Sequence, residues 1–132
     1  MSRKSKKDRF RPTDAELAIL RVLWDQGPST VRQVQEVLNA KRPTGYTTAL
    51  KLMQIMTDKG LLLRDESQRT HVYRPQASAE KTQRQLVRDL LDRAFAGAAD
   101  QLVIQALNAK TVSSEELAQI RALLDEMERR NP

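Results

Sequence analysis

The segment from Arg42 to Tyr73 constrains the fold of this chain more than any other part of the sequence. Its first half carries apolar residues at helical spacing, and Gly60 follows as a glycine of the kind that ends helices. Its second half has two short strand-like runs around a turn at 66–69, with Arg69 at the tip. The segment therefore predicts a helix, a glycine stop and a β-hairpin, an order typical of a winged helix-turn-helix.

Two further helices are expected before this segment, and each begins at a capping box. The boxes are Thr13–Glu16 and Thr30–Gln33. Gly27 ends the first helix, and the second must end before Pro43 because the residue preceding a proline is driven out of the helical region. The third helix is expected from about 44–46 to 59. The hairpin strands are expected at 61–65 and 70–74, with Pro75 stopping the second.

From residue 77 onward the pattern predicts helices only. A long helix over 78–96 is interrupted by Gly97, a short helix follows, and the last helix begins at a third capping box, Ser113–Glu116. In this layout the helices cannot bury their apolar stripes alone, so a second copy of the chain is their natural partner. The residues expected at this dimerisation surface are Leu86, Leu90, Leu102, Leu117, Ile120, Leu124 and Met127.

Positive charge is concentrated in the N-terminal half. Residues 1–76 hold 15 Lys and Arg against 8 Asp and Glu, a net of +7, whereas residues 77–132 hold 8 against 9, a net of −1. Six of the cations lie within residues 1–11. Clustered cations suit a polyanion such as double-stranded DNA, although a solvated basic surface would show the same charges.

The chain is therefore expected to be mainly α: a winged helix-turn-helix (three helices plus a small β-hairpin wing) followed by a helical dimerisation domain. Its parts are a flexible basic leader at 1–11, a winged-helix DNA-binding domain at 12–76 and a helical dimerisation domain at 77–132. Threonine can contact base edges and lysine can reach guanine acceptors, while Arg and Tyr suit the DNA backbone. The candidate DNA contacts are Arg11, Tyr46, Thr47, Thr48, Lys51, Arg69 and Thr70. The alternatives are an ordinary solvated helix face and, for Tyr46, an apolar contact that fixes the helix start.

Residues for catalysis are scarce. The one histidine, His71, falls in a predicted wing strand, and there is no cysteine, so no common metal-ligand set can be assembled. The four glycines are scattered, so there is no phosphate-binding glycine loop. We expect no enzyme activity, no metal and no cofactor. No apolar run is long enough to span a membrane, so no membrane insertion and a cytoplasmic location are expected.

Several short motifs, in their order and spacing, resemble the penicillinase-repressor family (the BlaI/MecI/CopY type). They are Thr13-x-x-Glu16 before Val22-Leu-Trp24, then Tyr46-Thr-Thr48, Lys59-Gly60-Leu61, His71-Val-Tyr73 and Phe95-Ala-Gly97. The resemblance runs from Thr13 to Met127. It implies a homodimer that represses transcription by binding dyad operators, often upstream of β-lactamase or peptidase-sensor genes. It places the recognition-helix contacts on Thr47, Thr48 and Lys51, and the wing contacts near Arg69.

The sequence departs from that family at two points. Copper-responsive members carry a cysteine-rich tail, and this chain has no cysteine, so copper sensing is not expected. In antibiotic-responsive members a membrane metalloprotease sensor leads to cleavage at an Asn–Phe bond. By position, that candidate cleavage site falls on Gln105 and Ala106, where neither residue matches. Two alternatives stay open: a winged-helix regulator released from DNA by a small ligand, and a protein-interaction adaptor that binds no DNA.

Overall fold

The computed structural model describes residues 11–131 of the chain. The flexible leader expected at 1–11 lies outside this range except for Arg11. The chain divides between Leu86 and Val87 into two compact units, of which residues 11–86 and 87–131 are described. The domain boundary expected between residues 76 and 77 stays a prediction.

The described chain begins with three helices and a β-hairpin. They are α1 (Asp14–Gln26), α2 (Val31–Lys41), α3 (Tyr46–Asp58), β1 (Leu62–Asp65) and β2 (Val72–Pro75). Three more helices follow: α4 (Ala79–Phe95), within which the two units divide, α5 (Ala99–Asn108) and α6 (Ser114–Arg130). The expected fold class, mainly α with a small two-stranded wing, is confirmed.

The first two helices begin where their capping boxes predict. In the box before α1, the Glu16 N–H donates to the Thr13 hydroxyl at 3.2 Å and the Thr13 N–H donates to the Glu16 carboxylate at 2.9 Å. The box formed by Thr30 and Gln33 has the same two bonds, at 3.2 and 2.8 Å. Each box satisfies two backbone groups that a helix start would leave without a partner.

The hairpin differs from the sequence prediction. The register pairs Leu62 with Pro75 and Asp65 with Val72, so the connecting loop runs over 66–71 rather than 66–69. Thr70 and His71 were expected in a strand and lie in this loop instead, and Pro75 is the last residue of β2 rather than the residue after it. The Asp65 carboxylate accepts a hydrogen bond from the Ser67 N–H at 2.9 Å, which turns the chain away from the strand as soon as β1 ends.

A single residue extends this sheet. The Ser29 N–H donates to the Tyr73 carbonyl at 3.0 Å, and the Tyr73 N–H donates to the Ser29 carbonyl at 2.8 Å. The short link between α1 and α2 therefore pairs with β2 on the side away from β1. These two bonds fix the hairpin to the helices beside it.

The core of the first unit lies between α1, α2, α3 and the hairpin. Its buried side chains are Ile19, Leu20, Val22, Leu23, Val31, Val34, Ala49, Met53, Met56, Leu62 and Tyr73. Trp24 packs at its edge, and its indole N–H donates to the Ala77 carbonyl at 3.0 Å. The methionines of α3 are thus core residues, as their helical spacing predicts.

A buried ion pair connects the start of α1 to the end of α3. Glu16 is only 2% exposed, and the Lys59 ammonium lies 3.1 and 2.9 Å from its two carboxylate oxygens. Lys59 is the C-cap of α3 and precedes Gly60, whose φ is +84°. Two motifs 43 residues apart in the sequence therefore form one contact.

The three helices that follow the hairpin leave many apolar side chains exposed. None of the described residues of α4, α5 or α6 is buried. The Ser113 hydroxyl caps α6 by accepting a hydrogen bond from the Glu116 N–H at 3.1 Å. The Glu116 carboxylate, however, accepts a hydrogen bond from the Ser113 hydroxyl and not from the Ser113 N–H. The capping box expected there is therefore wrong in one of its two bonds.

Candidate nucleic-acid interface

The polar face of α3 is set by the burial of its opposite face. Ala49, Met53 and Met56 are fully buried against the rest of the core. Because a helix repeats every 3.6 residues, this burial turns Thr47 and Lys51 outward, and both side chains are exposed. Thr48 is exposed as well, nearer the flank that faces α1. Two hydroxyls and one ammonium thus lie along the first half of an accessible helix.

The start of α3 differs from the starts of α1 and α2. Gly45 occupies its N-cap and provides no side-chain hydrogen bond, and its first turn contains no acidic residue. The N–H groups of this turn are therefore open to an external acceptor, and the positive end of the helix dipole favours an anion there. The Arg32 guanidinium, from the first turn of α2, lies over the Tyr46 ring at 5.1 Å from its centroid.

The wing loop is exposed from Glu66 to His71 and is held at its base. The hydrogen bonds from Ser67 lower the pKa of Asp65. Across the hairpin, a hydrogen bond with Tyr73 raises the pKa of Arg64, and an ion pair with Glu66 at 2.7 Å adds to the effect. At the base of the wing Arg64 is thus paired with Glu66 and Asp65 is held by Ser67, whereas Arg69 lies at the exposed tip.

A groove of about 500 Å³ lies between the starts of α2 and α3 and the wing loop. It brings together three of the predicted contacts, Tyr46, Arg69 and Thr70. Of the described residues that line it, none is acidic. The lining residues are Thr30, Val31, Arg32, Tyr46, Leu50, Arg69, Thr70, His71 and Tyr73.

Sequence reasoning missed Arg32. The signal was available in part, because Arg32 follows the Thr30 N-cap and so lies at the start of a helix. What the sequence could not show is that this start lies beside Tyr46, fourteen positions later in the chain. Arg11, by contrast, is partly buried and does not line the groove.

A second groove, of about 850 Å³, lies on the other flank of α3. It is formed by α1, α2 and the link at 42–45, and it includes Thr48 and Leu52 of α3. Its lining mixes apolar side chains with Asp14, Asp25 and several cations. It is therefore less selective for anions than the groove beside the wing.

The predicted dimerisation residues lie on the helices of the C-terminal half. Leu90, Leu117, Leu124 and Met127 are between 39% and 51% exposed, and Leu86, Leu102 and Ile120 are partly buried. The exposed apolar set is wider than predicted and also contains Val87, Val103, Ile104 and Leu123. Gln105 and Ala106, the candidate cleavage site, are both exposed and lie within α5.

Two kinds of site are absent from the described residues, a metal-ligand cluster and a membrane span. No group of three or more His, Asp or Glu side chains within residues 11–131 could hold a metal ion. No helix in that range combines the length and apolar character needed to cross a bilayer.

Comparison with known proteins agrees with the family resemblance. A solved structure titled "Solution structure of the DNA binding domain of the repressor BlaI" is similar, with a TM-score of 0.48 and 23% identity, over 53% of this chain and 85% of that one. The "Transcriptional regulator BlaI" of Mycobacterium tuberculosis, strains CDC 1551 / Oshkosh and ATCC 25618 / H37Rv, is 34% identical over 119 residues, or 87% of this chain and 83% of the relative. The family model described as penicillinase repressor matches residues 12–126. On these last two similarities, the chain belongs to the penicillinase repressor family.

Proposed function

We propose that this protein is a transcriptional repressor that binds double-stranded operator DNA with α3 and the wing. The observation that carries the proposal is the exposed face of α3, with Thr47, Thr48 and Lys51, next to a groove lined by cations and no described acid. In this role α3 enters the major groove, where Lys51 reaches guanine acceptors and the threonines contact base edges or thymine methyl groups. The relative's name, a transcriptional regulator, supports the same assignment.

The remaining predicted contacts have positioning roles in this proposal. Arg69 and Thr70, at the exposed tip of the wing, bind the backbone or the neighbouring minor groove. Tyr46 and the uncapped first turn of α3 bind phosphate. Arg11 precedes α1 and contributes to backbone binding. Contacts of this kind fix the protein on the duplex, and the residues of α3 then select the sequence.

DNase footprinting on the promoter region of the protein's own gene tests the proposal. We expect a protected dyad whose half-sites lie about one or two helical turns apart. Lys51→Ala should weaken operator binding by about 1–3 kcal/mol and relax specificity at one base position. The matched control is Lys41→Ala, because Lys41 is an exposed lysine at the end of α2. Absence of any protected dyad would contradict the proposal. Equal weakening on operator and random DNA would assign Lys51 to a phosphate instead.

The repressor is further proposed to act as a homodimer formed by α4–α6. The support is the set of exposed apolar residues on these helices, because packing against a second copy would remove their apolar surface from water. Leu124→Arg should yield a monomer in light scattering, since Leu124 is 51% exposed and lies in the predicted seam. Ala122→Arg, at an exposed position on the opposite face of α6, should leave the dimer intact. A dimeric Leu124→Arg protein would refute this interface.

Release from DNA is proposed to follow proteolysis triggered by a membrane metalloprotease sensor, with β-lactamase or peptidase-sensor genes under control. Gln105 and Ala106 are exposed, which supports access, but they lie within α5, so cleavage there requires local unfolding of that helix. Immunoblotting of cells treated with a β-lactam should show a shortened chain. An Ala106→Pro variant that is still cleaved at the same rate would exclude this bond.

The second candidate is a regulator released by a small ligand. The groove of about 850 Å³ that includes Thr48 favours it, because an occupant would touch the helix that is proposed to read DNA. Loss of operator binding on addition of a metabolite, with the chain intact on a gel, would support this candidate over proteolysis.

A further inference from the structure

We propose that Arg32, held over the ring of Tyr46, binds one phosphate of the DNA backbone in the groove beside the wing. The inference rests on the proposed function and gives a role in DNA binding to Arg32 of α2, which is not among the DNA contacts predicted from the sequence. Arg32 is exposed, and its guanidinium carbon lies 5.1 Å from the centroid of the Tyr46 ring.

The contacts of Arg32 leave its donors available. Within residues 11–131 no carboxylate forms an ion pair with Arg32, whereas Lys59, Arg64, Arg93 and Arg130 all have acidic partners. The aromatic ring stabilises the cation over one face and leaves the N–H groups at its edge directed into the surroundings. A guanidinium held in this way loses little freedom on binding, and its planar fork matches two oxygens of a phosphate.

The wing side of the groove also favours an anion. Arg69 and Thr70 of the wing loop line it together with Arg32 and Tyr46. Two guanidinium groups and the hydroxyls of threonine and tyrosine therefore surround a space in which no described acid lies. An anion is the ligand that this lining favours, and a groove of about 500 Å³ accommodates a phosphate with parts of its two sugars.

The place of the groove favours the DNA backbone over a free phosphate ion. One wall belongs to the start of α3 and the other to the wing, which are the two elements proposed to contact adjacent grooves of the duplex. The strand between those two grooves must pass them, so its phosphates reach this space. The contact carries no sequence information and acts by fixing how deeply α3 enters the major groove.

Fluorescence anisotropy with a short labelled duplex of arbitrary sequence tests the inference on the full chain. Arg32→Ala should make the slope of log K against log salt concentration shallower by about 0.9 per bound protomer. The loss of affinity relative to the wild type grows as the salt concentration falls. A slope change of this size corresponds to roughly eightfold weaker binding per protomer near about 0.1 M salt and to almost no loss near about 1 M salt. Arg32→Lys should retain the slope and lose part of the affinity, since a lysine keeps the charge but not the planar fork.

Arg21→Ala is the matched control, because Arg21 is an exposed arginine of α1 that does not line this groove. If Arg32→Ala and Arg21→Ala change the slope equally, the effect is general electrostatics and the inference is wrong. Tyr46→Leu and Tyr46→Phe provide a second comparison: the leucine variant should lose more affinity than the phenylalanine variant, which keeps the ring, and this difference should vanish when Arg32 is already alanine. Additive effects would show that the ring does not position the guanidinium.

Two further measurements distinguish a DNA phosphate from a free phosphate ion, and failure of this inference from failure of the proposed function. Inorganic phosphate, added in the millimolar range at constant ionic strength, should not displace the duplex. Displacement by it would overturn the backbone assignment in favour of a free-ion site. If the wild-type protein binds no duplex, the proposed function is refuted. If the wild-type protein binds but Arg32→Ala behaves like Arg21→Ala, only this inference is refuted.

Discussion

Removal of Lys59 should destabilise the first unit more than neutralisation of its partner, Glu16. Glu16 is 2% exposed and is held by the Thr13 N–H at 2.9 Å and by Lys59 at 3.1 and 2.9 Å. In Lys59→Met the carboxylate stays buried and keeps only the bond to the cap. Breaking a buried pair in this way costs about 3–5 kcal/mol, which we reduce to about 2–3 kcal/mol because water reaches Lys59, 31% of whose side chain is exposed.

Glu16→Gln leaves a milder defect. The glutamine oxygen can still accept from the Thr13 N–H, and the Lys59 ammonium can turn toward water. The expected cost is about 1–2 kcal/mol, because the glutamine NH2 group is left buried without an acceptor but carries no full charge. The double variant should cost less than the sum of the two single variants, because it leaves neither a buried charge nor a lysine without its partner.

Urea unfolding followed by Trp24 fluorescence measures these differences in the intact chain. Trp24 is the single tryptophan and packs at the edge of the first core, so its emission reports on that unit. A loss of about 2–3 kcal/mol corresponds to a fall in melting temperature of roughly 10–20 °C for a unit of this size. Lys41→Met, which removes an exposed lysine, should change stability by less than about 0.5 kcal/mol. Equal costs for Glu16→Gln and Lys59→Met would refute the reasoning.

Three other predictions concern the same unit. Trp24→Phe removes the bond from the indole N–H to the Ala77 carbonyl and should cost about 1–2 kcal/mol in urea unfolding followed by circular dichroism. Gly27→Ala should cost about 1–3 kcal/mol in the same assay, because Gly27 has φ +84° and ψ −173°, a backbone conformation that residues with a side chain avoid. The cost is conformational and not steric, since a Cβ at this position would meet no atom within 4 Å. The carboxyl of Asp65 should titrate below its usual value of 3.8 in an NMR experiment, since Ser67 lowers its pKa. The wing stabilisation it supplies is therefore complete above pH 3.8 and is lost as the pH falls through the lower folded value, and a midpoint at or above 3.8 would contradict this.

Features encoded within one turn of chain were predictable from the sequence. The boxes at Thr13 and Thr30 form as predicted, because both partners of each bond lie three residues apart and need no tertiary structure. The outward direction of Thr47 and Lys51 also follows from helical spacing alone. The length of the wing loop did not follow, since the sequence between β1 and β2 contains none of the glycine turns that fix a hairpin register.

Contacts between distant segments could not be predicted in the same way. Thr13-x-x-Glu16 and Lys59-Gly60 were each recognisable as motifs, yet nothing in either indicates that the two side chains meet. The stacking of Arg32 on Tyr46 depends on how sharply α2 and α3 turn on each other, which the link at 42–45 leaves open. The part of the candidate site on α3 was therefore predictable from the sequence, whereas its part on α2 was not.

The pairing of Ser29 with Tyr73 has a consequence for which substitutions the chain can accept there. Both bonds use main-chain groups, and the Ser29 hydroxyl donates separately to the Gly27 carbonyl at 2.9 Å. The polarity of the side chain at position 29 therefore does not directly decide whether the two bonds to Tyr73 form. The size of this side chain does, because Ser29 is only 5% exposed. Alanine or glycine at this position should leave the wing in place, while proline, which lacks the N–H, would release one side of the hairpin without touching any residue proposed to bind DNA. Position 29 is thus a site where a protein could lose operator binding while every contact residue stays unchanged.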